Sequence, residues 1–145
     1  MSSTSLTILS VPAFSTLCNA AFNLRREVFV HEQHVPAVEE LDQHDLTAAH
    51  FVAILDGDVV GTLRLVDKED HVKIGRVAVR STLRGKGIAK ALMIHAMDHA
   101  RGQGRSRFLL TAQADKLGFY EKLGFVPFGE VFLDAGIPHR AMRNY

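Results

Sequence analysis

A short run of glycines and basic residues carries the clearest chemical signal in this chain of 145 residues. It lies between a β-rich segment, residues 74–79, and a long stretch with helical apolar spacing, and it has the sequence Arg84-Gly85-Lys86-Gly87-Ile88-Ala89. A strand, a glycine turn and a helix start leave several backbone N–H groups unpaired at the positive end of the helix dipole. Glycine lets the backbone approach a ligand closely, while Arg84 and Lys86 add positive charge. The pattern predicts a phosphate-binding site.

Spacing argues against two other phosphate-binding motifs. A Walker loop needs Ser or Thr directly after its Gly-Lys pair, whereas Gly87 follows Lys86. A dinucleotide fingerprint needs a third small residue where Lys90 stands, and a carboxylate about 20 residues further on, where Gly104 and Arg105 stand. A nucleotide-binding Rossmann module is therefore disfavoured.

A second motif follows downstream, with the sequence Phe119-Tyr120-Glu121-Lys122-Leu123-Gly124-Phe125. The two motifs, in this order and at this separation, resemble the GNAT superfamily of N-acetyltransferases. The resemblance extends over essentially the whole chain, including residues 25–33 and 136–139, and is to a small bacterial-type branch with one domain. It implies a single N-acetyltransferase domain over residues 1–145, with acetyl-CoA as cosubstrate and no metal.

The resemblance also implies how acetyl-CoA is held. Backbone amides of the phosphate loop bind the pyrophosphate, and the strand edge that aligns the pantetheine and thioester comprises Val77, Ala78 and Val79. Tyr120 matches the family tyrosine that donates to the departing sulfur, because a phenol is protonated at neutral pH and can release its proton as negative charge develops. The alternative is that Tyr120 only packs beside Phe119.

Acetylation of a primary amine also needs a group that removes a proton, since an amine with a pKa near 10.4 is almost wholly protonated at pH 7. His139 occupies the place where some relatives carry a histidine that acts as this base, and imidazole suits proton transfer near neutral pH. The alternative is a histidine that merely hydrogen-bonds a strand end. Both interpretations stay open.

Residues 31–45 gather five carboxylates and three histidines. They form either a solvated loop or an acidic lip over the acceptor site that attracts a cationic amine; a metal site is disfavoured because the spacing fixes no ligand geometry. Glu27, Glu32 and Glu40 are alternative bases acting through water. Arg76 either grips a carboxylate of the acceptor or pairs with this acidic segment.

The composition limits the range of partners and settings. A net charge of +1 gives no reason to expect nucleic acid or an anionic membrane. A single cysteine, Cys18, excludes an internal disulfide, no apolar run approaches a membrane span, and the N-terminus lacks the basic region of a secretory signal. A soluble, cytoplasmic protein is expected, as a monomer or homodimer. The acceptor is a small-molecule amine or a peptide; the rival function is a non-catalytic acyl-CoA-binding or sensing domain.

Periodicity and turn signals predict an α/β (α+β) fold whose mixed central sheet has about six to seven strands, with about four helices. Strands are expected at residues 6–9, 50–55, 59–66, 72–79, 108–111, 126–132 and 139–143, and helices at residues 11–29, 87–101 and 115–123. The helix at 87–101 joins two parallel strands, which puts the phosphate loop at the carboxyl end of a strand. The resemblance adds that these two strands splay apart around the pantetheine arm.

Overall fold

Two apolar cores lie on opposite faces of one seven-stranded sheet in the computed structural model, which describes residues 5–145. Alternation along one central strand shows how the faces are divided, because Phe51 and Ala53 pack into one core and Val52 into the other. The predicted mixed sheet with about four helices is confirmed. Residues 1–4 of the predicted domain lie outside the described residues.

The strands are β1 (Thr7–Val11), β2 (Ala49–Leu55), β3 (Asp58–Asp67), β4 (Val72–Val79), β5 (Phe108–Gln113), β6 (Val126–Asp134) and β7 (Ile137–Arg143). The α-helices are α1 (Thr16–Arg25), α2 (Ala37–Glu40), α3 (Ile88–Gly102) and α4 (Leu117–Glu121). A π-helical segment, Arg26–Glu32, extends α1, and 3₁₀ turns occupy Gln43–Leu46, Ser81–Leu83 and Ala114–Lys116. No helix within residues 5–145 is long and apolar enough to cross a membrane.

The first helix differs from its predicted bounds at both ends. It begins at Thr16 rather than at residue 11, because the chain first turns at Pro12, whose carbonyl accepts from the amide of Ser15. The Ser15 hydroxyl then caps the helix by accepting from the amide of Cys18 at 3.2 Å. At the other end the helix continues past residue 29 through the π-helical segment to Glu32.

The sheet has the order β1-β2-β3-β4-β5-β7-β6, and β4 and β5 are its one parallel pair within the described residues. These two strands are paired only at Val72 with Phe108 and at Lys73 with Leu109. Beyond that point β4 stays with β3 while β5 stays with β7. A gap therefore opens between β4 and β5 towards their carboxyl ends, as the resemblance implied.

Helix α3 is fixed over the sheet by a close approach to β3. A Cβ at Gly61 would lie 2.9 Å from Ile88 Cγ2 and 2.9 Å from Leu92 Cδ1, so only glycine allows the helix to sit at this depth. Because Ile88 is the first residue of α3, this contact also holds the preceding loop against the end of β4. The fold thereby brings the phosphate loop to the mouth of the gap.

Candidate active site

A cleft of about 830 Å³ occupies the gap between β4 and β5. Most residues predicted for cofactor binding or catalysis line it: Arg76, Val77, Ala78, Val79, Arg84, Gly85, Gly87, Ile88, Ala89, Tyr120 and His139. Three predicted residues do not line it: Lys86, Glu27 and Glu40. One cavity thus contacts the phosphate loop, the splayed strand, the tyrosine and the histidine.

The phosphate loop has the geometry of an anion seat. Gly85 and Gly87 adopt positive φ values of 78° and 83°, and a Cβ at either would meet no atom within 4 Å. No side chain caps the N-terminus of α3, and its first intrahelical bond runs from the amide of Ala91 to the carbonyl of Gly87 at 3.0 Å. The helix dipole and the first-turn amides are therefore available to a phosphate.

Arg84 connects the two walls of the cleft. Its Nε donates to the carbonyl of Val79 at 3.0 Å, and its two terminal nitrogens donate to the Glu32 carboxylate at 2.5 and 2.8 Å. The hydrogen bond from Arg84 holds the pKa of Glu32 below its usual range. Both side chains are about two-fifths exposed, so the pair contributes little to stability and a phosphate can compete for the guanidinium.

Tyr120 lies on α4 with its ring packed against two phenylalanines. The centroid of its ring is 4.9 Å from that of Phe119 and 6.4 Å from that of Phe125, edge to face in both cases. Burial raises the pKa of Tyr120 to about 12. The phenol is therefore protonated throughout the physiological range and can donate a hydrogen bond or act as an acid.

His139 stands on β7 directly across from Gln113 of β5. Its Nδ1 lies 2.7 Å from the carbonyl oxygen of Ile137, and its ring stacks on Phe132 with centroids 6.0 Å apart. Because a carbonyl only accepts, Nδ1 carries the proton and Nε2 of the neutral ring is left as the acceptor. The half-buried imidazole thus has the tautomer that a base needs.

The acidic segment is largely neutralised by arginines from three other elements. Arg25 of α1 donates to Glu40 at 2.6 Å and to Asp45 at 2.6 Å, and Arg64 of β3 donates to Asp42 at 2.6 Å and to Asp45 at 2.9 Å. Burial would raise the pKa of Asp45, but hydrogen bonds from Arg25 and Arg64 and the amide of Asp42 outweigh it and hold that pKa far below its usual range. The interpretation of this segment as an acidic lip is therefore wrong for these carboxylates.

Two expected acceptor contacts need correction for the same reason. Glu40 is only 5% exposed, and its carboxylate is bound by Arg25, so it is neither free nor in the cleft. Glu27 is exposed outside the cleft and lies 3.9 Å from Arg80. The structure therefore places both carboxylates outside the cleft.

Arg76 remains at the cleft and also reaches the acidic segment. Its Nε donates to the carbonyl of Glu40 at 3.0 Å, and one terminal nitrogen donates to the carbonyl of Glu39 and to the carboxylate of Asp42. The pairing with the acidic segment, one of the two alternatives for this residue, is thus present. This pairing uses Nε and one of the two terminal nitrogens of the guanidinium.

Several residues of the cleft carried no recognisable signal in the sequence. Gln113 at the end of β5 donates to Gln33 at the end of the π-helical segment at 2.8 Å, a contact between residues 80 positions apart. Three lysines also line the cleft, Lys90, Lys116 and Lys122. Lys90 and Lys122 lie inside or beside the two motifs, but only the folded chain shows that their side chains border this cavity.

Comparison with known proteins identifies the family. The sequence model of the family described as "Acetyltransferase (GNAT) domain" matches residues 13–145, so the chain belongs to this family, and the predicted resemblance is confirmed. The protein is an acyl-CoA-dependent acyltransferase of the GNAT superfamily.

Two curated relatives are similar over most of their length. The chain is 40% identical over 124 residues to the uncharacterized N-acetyltransferase YjcF of Bacillus subtilis, covering 84% of this chain and 88% of the relative. It is 33% identical over 129 residues to the protein ElaA of Escherichia coli, covering 85% and 84%. Both alignments include most of a complete chain.

Solved structures agree with the fold. An acyl-CoA N-acyltransferase from Pseudomonas aeruginosa superposes with a TM-score of 0.85 at 38% identity, covering 99% of this chain and 100% of the other. Escherichia coli ElaA superposes with a TM-score of 0.88 at 29% identity, covering 97% and 100%. A GNAT acetyltransferase from Elizabethkingia anophelis, solved with acetyl-CoA bound, has a TM-score of 0.70 at 16% identity and supports the fold alone.

Within residues 5–145 no group of three or more His, Cys, Asp or Glu side chains is arranged to hold a metal ion. His95 and His99, one turn apart on the exposed side of α3, each pack edge to face against Phe51.

Proposed function

We propose that this protein transfers the acetyl group of acetyl-CoA directly to a primary amine of a small molecule or peptide. The observation that carries the proposal is that one cleft contacts the phosphate loop, the splayed edge of β4, Tyr120 and His139. These elements supply an anion seat, a strand edge, a proton donor and a proton acceptor. They are the groups that acyl transfer from a thioester to an amine requires.

The loop of residues 84–89 fits the pyrophosphate of the cosubstrate. Its two left-handed glycines leave open space above the uncapped start of α3, which is where a negative group is stabilised. Arg84, Lys90, Lys116 and Lys122 add positive charge around the same cleft. Lys86 is exposed and does not line the cavity, so we assign it only a long-range contribution.

The splayed edge of β4 supports the placement of the thioester. Val77 and Val79 line the cleft beyond the last residues that pair with β5, so backbone groups on that side of β4 face the gap rather than another strand. Backbone hydrogen bonds from such an edge orient a ligand without requiring any particular side chain. We assign the alignment of the pantetheine and thioester to residues 77–79.

The amine nitrogen attacks the thioester carbonyl carbon, the carbon–sulfur bond breaks, and an amide and a free thiol result. His139 takes the proton from the amine at Nε2. Tyr120 donates to the sulfur as negative charge develops there. Its raised pKa keeps the donor protonated but makes it a weaker acid, so its main effect is to stabilise charge on the sulfur in the transition state.

Direct transfer is favoured over a route through an acylated cysteine. The single cysteine of the chain, Cys18, lies fully buried in the α1-side core and does not line the cleft. Burial raises the pKa of its thiol, which reduces the fraction present as the nucleophilic thiolate. A thiol in this position is not suited to accept an acetyl group.

We further propose that residues 1–145 act as a single N-acetyltransferase domain, as monomer or homodimer. The family match over residues 13–145 supports one domain. The lone unpaired cysteine is consistent with the reducing cytoplasm, where we place the protein. Sedimentation analysis of the purified chain decides between monomer and dimer.

A panel of primary amines, assayed for thiol released from acetyl-CoA, tests the proposed activity. We expect amine-dependent thiol release together with the N-acetylated amine, detected by mass spectrometry. A non-catalytic acyl-CoA-binding domain would instead bind CoA in calorimetry and release no thiol with any amine. That result would contradict the proposed function.

A further inference from the structure

Arg76 is held in an unusual backbone conformation at the wall of the cleft. It is one of four non-glycine residues within residues 5–145 with positive φ, at 54°, and the only one of these four that lines the cleft. A left-handed conformation is costly for a residue with a Cβ, and the surrounding structure must hold it in place. It occurs where the pairing of β3 with β4 is irregular, between Thr62 and Arg64. At this irregularity, the backbone conformation of Arg76 departs from the regular alternation of the strand.

The hydrogen bonds of Arg76 fix the guanidinium and leave one edge of it without a partner. Nε and Nη2 are both used, by the carbonyls of Glu40 and Glu39 and by the carboxylate of Asp42. Nη1 makes no hydrogen bond to any residue in the range 5–145. The side chain is 27% exposed and the residue lines the cleft, so we take Nη1 to be the part of the guanidinium that is open to a ligand.

The carboxylate nearest to Arg76 is shared with a second arginine. Asp42, the carboxylate that Arg76 reaches at 3.2 Å, is bound more closely by Arg64, at 2.6 and 2.8 Å. Burial lowers the pKa of Arg76, and the positive charges of Arg64 and Arg25 lower it further, against the opposing effect of Asp42 and Glu40. An anionic group at Nη1 would therefore be stabilised by more than one arginine.

This edge lies apart from the phosphate seat. Arg76 precedes Val77, where we place the thioester, whereas the phosphate loop begins eight positions later at Arg84, beyond the end of β4. Three residues of a strand already span about 10 Å. A pyrophosphate at residues 84–89, as proposed above, is thus too distant to be the anion that we expect to bind at Nη1.

We propose that the acceptor carries a carboxylate close to its reacting amine, as an amino acid does, and that Nη1 of Arg76 binds this carboxylate. The proposal rests on the proposed acetyl transfer and specifies its substrate class. The ion pairs of Glu40, Asp42 and Asp45 point the same way, because these three carboxylates offer little free negative charge to a polycationic acceptor. Arg76 would then fulfil both alternatives that the sequence left open. One edge of its guanidinium pairs with the acidic segment, and the opposite edge binds the carboxylate of the acceptor.

Matched pairs of acceptors test the proposal. Each amino acid is compared with its own carboxamide, which keeps the amine and the side chain but has no negative charge. A charge-assisted hydrogen bond contributes about 1.5–3 kcal/mol, so kcat/KM for the acid should exceed that for the amide roughly 10- to 100-fold. The amine of the amide is less basic and more often neutral, so any bias runs against this expectation.

Arg76 variants separate recognition from a purely structural role. In Arg76→Gln, kcat/KM for the amino acid divided by kcat/KM for its carboxamide should fall to about one. Arg76→Lys should keep part of the preference for the acid, because the positive charge remains. A variant that only loosened residues 37–46 would lower kcat/KM equally for the acid and the amide and leave their ratio unchanged. The control is Arg80→Gln, since Arg80 follows β4, pairs with Glu27 and does not line the cleft. Its ratio should match the wild type.

A second readout does not require turnover. Calorimetry of the CoA-bound enzyme should detect binding of an N-acetyl amino acid, and binding of the corresponding N-acetyl amino acid amide should be at least about tenfold weaker. Equal kcat/KM for acids and amides, with amines still acetylated, would overturn the carboxylate proposal and leave the proposed function standing. If no amine is acetylated, the proposed function fails. Equal affinities of the two N-acetyl compounds in calorimetry would overturn the carboxylate proposal whether or not an amine is acetylated.

Discussion

Gly87 shows how much of the cofactor site depends on single backbone positions. It caps α3 in a left-handed conformation, and the space above it is open in a direction where a side chain would project. A substitution there would strain the backbone and would occupy the volume that we propose for the phosphate. Lys86, its neighbour, is exposed and outside the cleft.

Gly87→Trp should therefore abolish detectable CoA binding, whereas Lys86→Ala should weaken it no more than about fivefold, because exposed charges contribute little. Isothermal titration of CoA into each variant measures the difference. Circular dichroism spectra that match the wild type serve as the folding control. Unchanged CoA affinity in folded Gly87→Trp would remove the phosphate assignment from this loop.

His139 should leave a signature in the pH dependence of turnover. A base must be neutral to accept a proton, so kcat/KM should rise with pH along a limb that reports deprotonation of the base. His139→Ala should lower the plateau and remove this limb. Amines of different basicity separate the titration of the acceptor from that of the enzyme. The same limb persisting in His139→Ala would assign the proton to another group.

The phosphate loop and Tyr120 could be predicted from the sequence because short motifs identify them. The phosphate loop and Tyr120 belong to motifs of six or seven adjacent residues, and the fold brings both to the cleft. The Gln33–Gln113 contact and the open edge of Arg76 could not be predicted. Each depends on where distant segments meet and, for Arg76, on a backbone conformation that its residue type disfavours.

At the scale of the secondary structure elements, a buried cluster of ion pairs joins four parts of the fold. It joins α1, the segment of residues 37–46, β3 and β4 through Arg25, Arg64, Arg76 and their carboxylate partners. Asp45 is central because it accepts from both Arg25 and Arg64 and is only 4% exposed. Removing its charge would leave two arginines undercompensated in a buried place.

Asp45→Asn should destabilise the protein at pH 7 by about 3–5 kcal/mol, as expected for breaking a buried pair. The folded-state pKa of Asp45 is depressed, so its contribution is complete above the unfolded value near 3.9 and is lost as pH falls below that. The stability gap between wild type and variant should therefore narrow on acidification. Urea unfolding at pH 7 and at pH 4 and below measures it.

Asp98→Asn provides the matched control, because Asp98 forms an exposed i,i+3 pair with Arg101 on α3. Its stability should stay within about 0.5 kcal/mol of the wild type at pH 7. If Asp45→Asn proved as stable as this control, the cluster would not hold the segment of residues 37–46.

Local pattern also explains which elements were predicted well. Strands β2 and β3 follow from alternation on either side of an Asp-Gly turn, and α3 follows from its 3.6-residue period. The π-helical continuation of α1 and the short helices between residues 37 and 46 had no such signal. The carboxylates of Glu40, Asp42 and Asp45 are bound by arginines 15 to 34 positions away, and no periodic pattern encodes these pairings.

On the scale of the whole molecule, the site is assembled from two halves of the sheet, β1 to β4 and β5 to β7. The first half supplies β4. The second half supplies His139 on β7, and Tyr120 lies on α4, which follows β5. The halves are joined in the sheet at only two register positions, Val72 with Phe108 and Lys73 with Leu109, and the cleft opens beyond them. A thioester lying in this cleft would have the strand edge on one side and Tyr120 on the other.

Steady-state turnover of Tyr120→Phe, measured beside its CoA affinity, tests this arrangement most directly. Phenylalanine keeps the ring and its packing against Phe119 and Phe125 but removes the donor. With an amine that the wild type acetylates, kcat should fall about 10²- to 10⁴-fold, the usual weight of a positioned acid, while the Kd for CoA and the melting temperature stay unchanged. A kcat within about threefold of the wild type would show that Tyr120 only packs in the cleft and would contradict the account.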